Sequence, residues 1–348
     1  MASVATQRFI AHKLLSLPSP ILRLMSGGGV VYQGGRTLDP RIQFLAAQGR
    51  NAPPMQTLSP EAARQANDAG VALVTGAPEP GVRIENLTVD GPGGAIPARA
   101  YRPEVQDPAA PLMVYAHMGG GVIGSLETSH VFCSIIAKCA RAPILSVDYR
   151  LAPEHRFPAG LEDVLAAYRW ARENTERFGA PKGLVAIGGD SMGGGFAAAV
   201  CQALKKAGEP QPALQLLVYP WVDVACESAS MTIYGDAYPL NRPLLDWFAG
   251  HLMGPEDNPA DPRLSPLAEK NLKGLAPAIV VTAGFDPLVD QGEAYARKLK
   301  EAGVPMVYRC YDSLSHGFTA FTGAVPCADT ACREIAGLVR EGFEGRIA

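Results

Sequence analysis

One serine lies in the centre of a glycine cluster, in the stretch VAIGGDSMGGG that runs from Val185 to Gly195. A serine hydroxyl is a weak nucleophile until a neighbouring base removes its proton. Glycines two residues before and after a serine, between a strand and a helix, are typical of a sharp turn that exposes the hydroxyl. Here an apolar strand candidate precedes Ser191 and the helix candidate GGFAAAVCQALKKAG follows it. The pattern predicts acyl transfer with Ser191 as nucleophile, and an inert glycine-rich turn is the alternative.

A second glycine cluster follows another strand candidate, in the stretch VYAHMGGGVIGS. Acyl transfer builds negative charge on the former carbonyl oxygen, and converging backbone N–H groups stabilise that charge. Glycines allow the backbone to approach closely. The N–H of Met192, at the amino end of the helix candidate, is a further donor. We therefore expect this loop and Met192 to form an oxyanion-binding site.

The elements that must position these residues follow from the alternation of apolar runs and amphipathic segments after about residue 111. The strand candidates are LMVYAH, APILSVDYR, GLVAIGG, LQLLVYPW, PAIVVTAG and PMVYRCYD. Apolar strands separated by helices predict an α/β fold with a mostly parallel sheet flanked by helices. Upstream, VRIENLTVD and AIPARAYRP flank the turn GPGG and predict an antiparallel hairpin at the edge of the sheet.

Two segments fit this alternation poorly, residues 1–60 and 222–254, which look helical in parts. We expect them to form a cap over the carboxyl ends of the strands, where ligands bind in open α/β sheets. Residues 61–221 and 255–348 would then form the catalytic domain. An amino-terminal helical decoration with a separate long loop is the alternative.

Five motifs occur in a fixed order: HMGGGVIGS, VDYRLAPEHRFPAGLEDV, GGDSMGG, TAGFDPLVDQGEAYA and SHGF. In this combination the chain resembles the hormone-sensitive-lipase-like group of α/β-hydrolase esterases over roughly residues 80–345. The resemblance implies an α/β-hydrolase sheet with a helical cap, no cofactor, and esters of short acyl chains as substrates.

The resemblance also implies the site residues. They are Ser191 as nucleophile, Asp286 as acid, His316 as base, and the N–H groups of Gly119, Gly120 and Met192 as oxyanion donors. Asp286 ends one strand candidate and His316 follows another, so both are expected at the carboxyl edge of the sheet beside Ser191. Asp290 is an alternative acid, although it falls within the next helix candidate. The resemblance further implies that His117 shapes the glycine loop by hydrogen bonding.

The glycine loop departs from the family pattern, in which His-Gly-Gly-Gly is followed by an aromatic residue. Met118 replaces the first glycine, Gly121 replaces the aromatic residue, and Met192 replaces the small residue after the nucleophile. We hypothesise that these changes together reshape the pocket wall, and neutral repacking is the alternative. The expected substrate-binding residues are Met118, Gly121, Phe285, Val289 and Phe318.

Composition excludes several classes of partner and site. A formal net charge of -3 gives no electrostatic footprint for nucleic acid. No apolar run approaches the ~20 residues that cross a bilayer, and the amino terminus lacks the pattern of a signal peptide, so we expect a cytoplasmic protein without a membrane partner. Seven scattered cysteines indicate reduced thiols. Cys327 and Cys332 could bind a metal or cross-link, but no second Cys/His pair accompanies them, so we expect no metal site.

The function that these patterns predict is a serine carboxylesterase that hydrolyses short-to-medium acyl esters through an acyl-enzyme. Amide or lactone hydrolysis at the same site is an alternative. A non-catalytic small-molecule receptor is a third possibility, which the presence of all three triad residues disfavours. The expected partner is a small-molecule ester, and the chain is expected to be a monomer or a homodimer.

Overall fold

A computed structural model describes residues 4–347 and contains ten strands in this part of the chain. In chain order they are β1 (Tyr32–Gln33), β2 (Arg36–Thr37), β3 (Val82–Gly91), β4 (Gly94–Pro103), β5 (Leu112–Ala116), β6 (Ile144–Val147), β7 (Val185–Asp190), β8 (Gln215–Val218), β9 (Ala278–Phe285) and β10 (Met306–Ser315). β1 and β2 form a small hairpin of their own, and the other eight form one sheet in the order β10-β9-β8-β7-β5-β6-β4-β3.

The sheet is parallel from β6 to β10, whereas β4 runs antiparallel to both β6 and β3. The predictions of a mostly parallel sheet and of an antiparallel hairpin at its edge are therefore confirmed. Every residue of β5, β7, β8 and β9 is buried. Because helices cover both faces of these strands, their sequences are continuous apolar runs without polar alternation.

Eleven α-helices are present in the described residues. They are α1 (Val4–Leu15), α2 (Ser19–Met25), α3 (Pro40–Gly49), α4 (Pro60–Val74), α5 (His130–Ala140), α6 (Ala159–Glu173), α7 (Met192–Lys206), α8 (Ala229–Ile233), α9 (Arg242–Leu252), α10 (Val289–Glu301) and α11 (Pro326–Phe343). Short 3-10 helices cover Met55–Thr57, Thr175–Phe178, Pro266–Ala268 and Phe318–Phe321. α6, α7 and α10 pack on one face of the sheet, and α5 and α11 on the other.

The two segments outside the alternation contain several of these helices. Residues 1–60 contribute α1, α2 and α3, and residues 222–254 contribute α8 and α9. α1 packs on α4, α2 packs on α3, and α9 packs on the 3-10 helix Met55–Thr57. The two segments therefore meet in space although about 160 residues separate them in sequence.

Within residues 4–347, no helix combines the length and the hydrophobicity that crossing a bilayer requires. All seven cysteines are free thiols, and Cys332 is buried while Cys327 is partly exposed. The described part of the chain holds no cluster of three metal-ligating side chains.

Candidate active site

Ser191 lies between β7 and α7, in a backbone conformation that serine rarely adopts. Its φ and ψ are 55° and -121°. Its N–H donates to the Val218 carbonyl on β8 at 2.9 Å, and its own carbonyl accepts from Gly195 N–H at 3.0 Å. These hydrogen bonds to β8 and α7 hold the strained turn in place. Ser191 Oγ therefore projects beyond the carboxyl end of β7.

Gly189 and Gly193 allow β7 and α7 to approach each other. A Cβ atom on Gly193 would overlap the Ala116 carbonyl of β5, and one on Gly189 would overlap the backbone of Gly193. No side chain fits at either position. The glycines two residues before and after Ser191 are therefore a steric requirement of the turn.

Three side chains from three strand ends meet at this edge of the sheet. His316 Nε2 lies 2.8 Å from Ser191 Oγ, and His316 Nδ1 lies 2.7 Å from Asp286 Oδ2. The serine and histidine are 5% exposed and the aspartate is fully buried. The other carboxylate oxygen of Asp286 accepts from Leu288 N–H at 2.8 Å, which fixes the carboxylate against the start of α10. This arrangement is a hydrogen-bonded chain that can move a proton from serine to imidazole.

The alternative acid, Asp290, lies elsewhere. Its carboxylate accepts from Ser230 N–H at 2.8 Å and thereby joins α10 to the start of α8. It makes none of the contacts to His316 that Asp286 makes. The geometry favours Asp286 over Asp290 as the partner of the histidine.

The glycine loop after β5 runs over the amino end of α7. Gly119, Gly120 and Gly121 all have positive φ, at 130°, 63° and 71°. The Gly119 carbonyl accepts from Val122 and Ile123 N–H at 3.0 and 2.9 Å, which closes a tight turn. Gly119 and Gly120 line the same cavity as Ser191. Met192 N–H, in the first turn of α7, has no partner within its helix. The expected oxyanion donors thus lie around one end of the turn that carries Ser191.

His117 supports this loop from below. Its ring is fully buried and stacks on Tyr149 with centroids 4.3 Å apart. Its Nδ1 lies 2.8 Å from the Met118 carbonyl, and Tyr149 Oη donates to the His117 carbonyl at 2.8 Å. These contacts fit the structural role expected for His117.

The departures from the family pattern have different surroundings. Met118 lines the cavity and packs on Gly317, next to His316. Met192 is 1% exposed and packs in the core below the cavity. A Cβ on Gly121 would come within 2.9 Å of Leu252, so α9 fills the space beside this residue. Of these three positions, only Met118 contributes a side chain to the cavity wall.

A cavity of about 1000 Å³ lies above Ser191 and His316. Residues of both segments outside the alternation line it, together with residues of α4, which the sequence had assigned to the catalytic domain. The lining includes Val31, Gln43, Met55, Asn67, Leu244 and Phe248. Phe248 packs its ring directly against Gly120, where a Cβ atom would overlap it. Sequence reasoning missed Asn67 and Phe248, because amphipathic periodicity shows a helix but not which strand end it covers.

Of the three expected pocket residues Phe285, Val289 and Phe318, only Phe285 lies on the cavity wall. Val289 begins α10 and packs in a small cluster with Phe285 and Tyr234. Phe318 is fully buried and packs edge-on against Tyr219 and Tyr311. Nearness in sequence to the catalytic positions was a poor guide here, because the chain turns both side chains into the core.

A buried polar network below Ser191 and His316 was also missed. Asp190 is fully buried and accepts from Ser129 Oγ at 3.2 Å and from Tyr219 Oη and Thr319 Oγ1 at 3.0 Å each. Burial raises the pKa of Asp190, and the hydrogen bonds from Thr319 and Tyr219 oppose that change. Thr319 lies three residues after His316, so the network joins the turn of Ser191 to the loop of His316. A charged residue directly before the nucleophile is the only sequence signal of this link.

Comparison with known proteins gives one family match. Residues 113–320 match the model of a family described as having the alpha/beta hydrolase fold. This match covers more than half of the chain and includes the glycine loop, the turn of Ser191 and the loop of His316.

Individual relatives cover most of the chain. It is 42% identical to the carboxylic ester hydrolase LipN of Mycobacterium tuberculosis, over 87% of this chain and 82% of that protein. It is 36% identical to an ethyl acetate hydrolase of Pseudomonas putida, over 82% of this chain and 92% of that protein. Among solved structures, an ester hydrolase from the metagenome of Lake Arreo, complexed with a bipyridine phosphonate derivative, superposes with a TM-score of 0.84 at 39% identity. That alignment covers 88% of this chain and 99% of the other.

Proposed function

Because the chain belongs to the hormone-sensitive-lipase-like family of α/β hydrolases and is a carboxylic ester hydrolase, we propose that Ser191, His316 and Asp286 form its catalytic triad. The observation that carries this proposal is the hydrogen-bonded chain from Asp286 through His316 to Ser191 Oγ, with distances of 2.7 and 2.8 Å. Ser191 and His316 face a cavity large enough for a substrate.

The first half of the reaction forms an acyl-enzyme. Ser191 Oγ attacks the ester carbonyl carbon while its proton passes to His316 Nε2. Asp286 stays ionised, holds the imidazole in the required tautomer and stabilises its protonated form. When the tetrahedral intermediate collapses, the bond from carbon to the alcohol oxygen breaks. His316 then gives its proton to that oxygen, and the alcohol leaves.

The second half regenerates the enzyme. A water molecule attacks the acyl carbon and gives a proton to His316 Nε2. The bond to Ser191 Oγ then breaks, the serine recovers its proton from the imidazole, and the carboxylic acid is released. In both halves the negative oxygen is held by the N–H groups of Gly119, Gly120 and Met192. Loss of one such donor typically costs about 100-fold to 1000-fold in rate.

The proposed substrates are esters with short-to-medium acyl chains. The name of the related ethyl acetate hydrolase supports a short acyl group. The cavity of about 1000 Å³ exceeds the space that an acetyl group needs, so it leaves room for a bulky alcohol portion. We further propose that residues 1–60 and 222–254 act as the cap that encloses this substrate, with α4 as part of its wall.

Hydrolysis of p-nitrophenyl esters from acetyl to dodecanoyl tests the proposal. The protein should be most active on the shorter chains, and Ser191→Ala should lower kcat by at least about 1000-fold. Ser315→Ala is a matched control, since Ser315 is also buried and its hydroxyl has no hydrogen-bond partner among the described residues. Activity that survives in Ser191→Ala, or that is lost equally in both variants, would contradict the proposed nucleophile.

A further inference from the structure

The first two helices and the chain after them expose an unusual number of apolar side chains. We propose that this surface docks the protein on an anionic phospholipid bilayer. It is called the N-terminal apolar face here and consists of Phe9, Ile10, Leu14, Ile21, Leu24, Met25, Val30 and Tyr32. Phe9, Leu24 and Tyr32 are 64%, 75% and 70% exposed.

The exposed apolar side chains are concentrated in this one stretch. Of the eleven large hydrophobic residues that are exposed in the described chain, eight lie between residues 9 and 32. Of the remaining three, Val105 and Leu184 lie apart from this stretch in sequence, and Ile233 lies next to Gly34 at the end of the stretch. Single exposed apolar residues are ordinary on a soluble protein, whereas a group of them marks a surface for a partner or a membrane.

Helical spacing places these residues on the outer sides of α1 and α2. Phe9, Ile10 and Leu14 follow one another around α1 within an arc of about 140°, and Ile21, Leu24 and Met25 lie within an arc of about 100° on α2. Leu15 and Leu22, by contrast, are buried and anchor the two helices on the protein. Each helix is therefore apolar on the side that the fold covers and on the side that it leaves open.

The charge of this region favours an anionic surface as the occupant. Residues 6–38 contain Arg8, Lys13, Arg23 and Arg36 and no acidic residue, although the whole chain carries a net charge of -3. Arg36 pairs with Asp312, and Arg8 keeps its charge while it donates to the carbonyls of Thr75 and Gly76. Lys13, which is exposed, and Arg23, which is partly exposed, can reach anionic headgroups while the apolar groups enter the acyl boundary. A second copy that used the same face would bring two basic segments together. The charge distribution thus favours lipid over self-association.

The N-terminal apolar face is continuous with the candidate active site. Ser26, Gly28, Val31 and Gln33 interleave with its last residues and line the cavity above Ser191. Docking would therefore bring the cavity entrance to the bilayer, where apolar esters accumulate. This consequence for substrate supply depends on the proposed function, whereas docking itself does not. Surface docking needs no spanning helix, so it is compatible with the absence of such a helix from residues 4–347, although it departs from the expectation of no membrane partner.

Vesicle flotation of the full chain carrying Ser191→Ala measures docking without hydrolysis. The protein should bind vesicles of phosphatidylcholine with about one-third phosphatidylglycerol, bind phosphatidylcholine alone weakly, and dissociate as salt is raised. Adding Phe9→Glu and Leu24→Glu should lower the partition coefficient by about tenfold or more. Val105→Glu is the matched control, because Val105 is 61% exposed but lies outside the face, and it should not change binding.

Three results would overturn the proposal. The first is no binding to either type of vesicle by protein that circular dichroism shows to be folded. The second is an equal loss of binding in Val105→Glu. The third is a dimer in analytical ultracentrifugation that Phe9→Glu and Leu24→Glu dissociate, together with no vesicle binding, which would assign the face to a second copy. Vesicle binding by a chain that hydrolyses no ester would support docking and contradict only the proposed function.

Discussion

Ser191 holds a backbone conformation that costs a residue with a side chain about 1–3 kcal/mol. Its φ of 55° persists because β8 and α7 hydrogen-bond to both sides of the turn. The backbone is also packed so closely at Gly189 and Gly193 that the turn has no room to relax. The strain has a chemical purpose in the proposed mechanism. It keeps the hydroxyl 2.8 Å from His316 Nε2 and in the cavity, instead of along the helix axis.

The role of Asp286 gives the first prediction. Asp286→Asn should lower kcat by about 1000-fold or more, because an amide can donate to Nδ1 and so favour the wrong imidazole tautomer. KM should change little, since the side chain is buried behind the histidine and does not reach the cavity. Steady-state kinetics on p-nitrophenyl butyrate measures both parameters.

Asp290→Asn is the matched control for this prediction. Asp290 lies four residues further along and accepts from Ser230 N–H, away from the histidine. Its kcat should stay within a few-fold of the parent. The reverse result, with Asp290→Asn inactive and Asp286→Asn active, would exchange the roles of the two carboxylates.

At the scale of elements, α9 takes the place of the aromatic residue that the glycine loop lacks. Leu252 fills the space beside Gly121, and the ring of Phe248 packs on Gly120. The hypothesis attributed the changed pocket wall to methionines, but beside the glycine loop the wall is formed by α9. Met118 contributes to the wall, but α9 supplies the bulk next to the expected oxyanion donors.

Removal of that bulk gives the second prediction. Phe248→Ala should raise kcat/KM for octanoyl over acetyl p-nitrophenyl esters by about tenfold, because it opens space beside Gly120. The same change should lower Tm, since Phe248 is 5% exposed and packs in the core. Assays below the Tm of the variant separate the two effects.

Asp246→Ala on the same helix is the control for Phe248. Asp246 is exposed and lies two residues earlier, on the opposite side of α9. It should leave the ratio of octanoyl to acetyl activity unchanged. An unaltered ratio in Phe248→Ala would show that α9 does not shape the acyl site.

A surface ion pair joins α4 to the loops below the glycine turn and gives the third prediction. Arg64 donates to the carbonyls of Val122 and Ala152 at 2.9 Å each and to Glu154 Oε2 at 2.6 Å. The hydrogen bond from Arg64 lowers the pKa of Glu154 from 4.5 to about 2. A depressed folded-state pKa means that this stabilisation is present above pH 4.5 and is lost as the pH falls toward 2.

Glu154→Gln should therefore lower Tm by a few degrees at most near pH 7, because the pair is partly exposed. The difference in Tm from the parent should shrink as the pH falls below 4.5. Differential scanning calorimetry over this range measures it, with the exposed Glu256→Gln as control. A difference that stays constant with pH would assign the effect to packing rather than to charge.

For the whole molecule, the local pattern was sufficient to predict the sheet but not the cavity. Continuous apolar runs predicted β5 to β10, and the turn GPGG predicted the β3–β4 hairpin, because these signals lie within a few residues of one another. The family resemblance supplied Asp286 and His316 as partners of Ser191, and their places at strand ends predicted that the three residues would lie together. All strands of a parallel sheet deliver their carboxyl ends to the same edge.

The cavity wall could not be predicted in the same way because it is built by contacts between distant segments. Phe248 meets Gly120, and Thr319 meets Asp190, across 128 and 129 residues of sequence. Val289 and Phe318 were expected in the pocket from nearness in sequence, yet both pack into the core. A rotation of a helix by about 100°, the angle between successive residues, moves a side chain from the cavity to the core. The periodicity of the sequence does not determine this rotation.

Inactivation by diethyl p-nitrophenyl phosphate, followed by peptide mapping with mass spectrometry, identifies the nucleophile of this enzyme. The reagent phosphorylates an activated serine and releases p-nitrophenol, so it marks the nucleophile. We expect one diethylphosphoryl group per chain, on Ser191, with loss of ester hydrolysis in proportion to labelling. Complete inactivation with the label on another residue, or full activity with Ser191 labelled, would contradict this expectation.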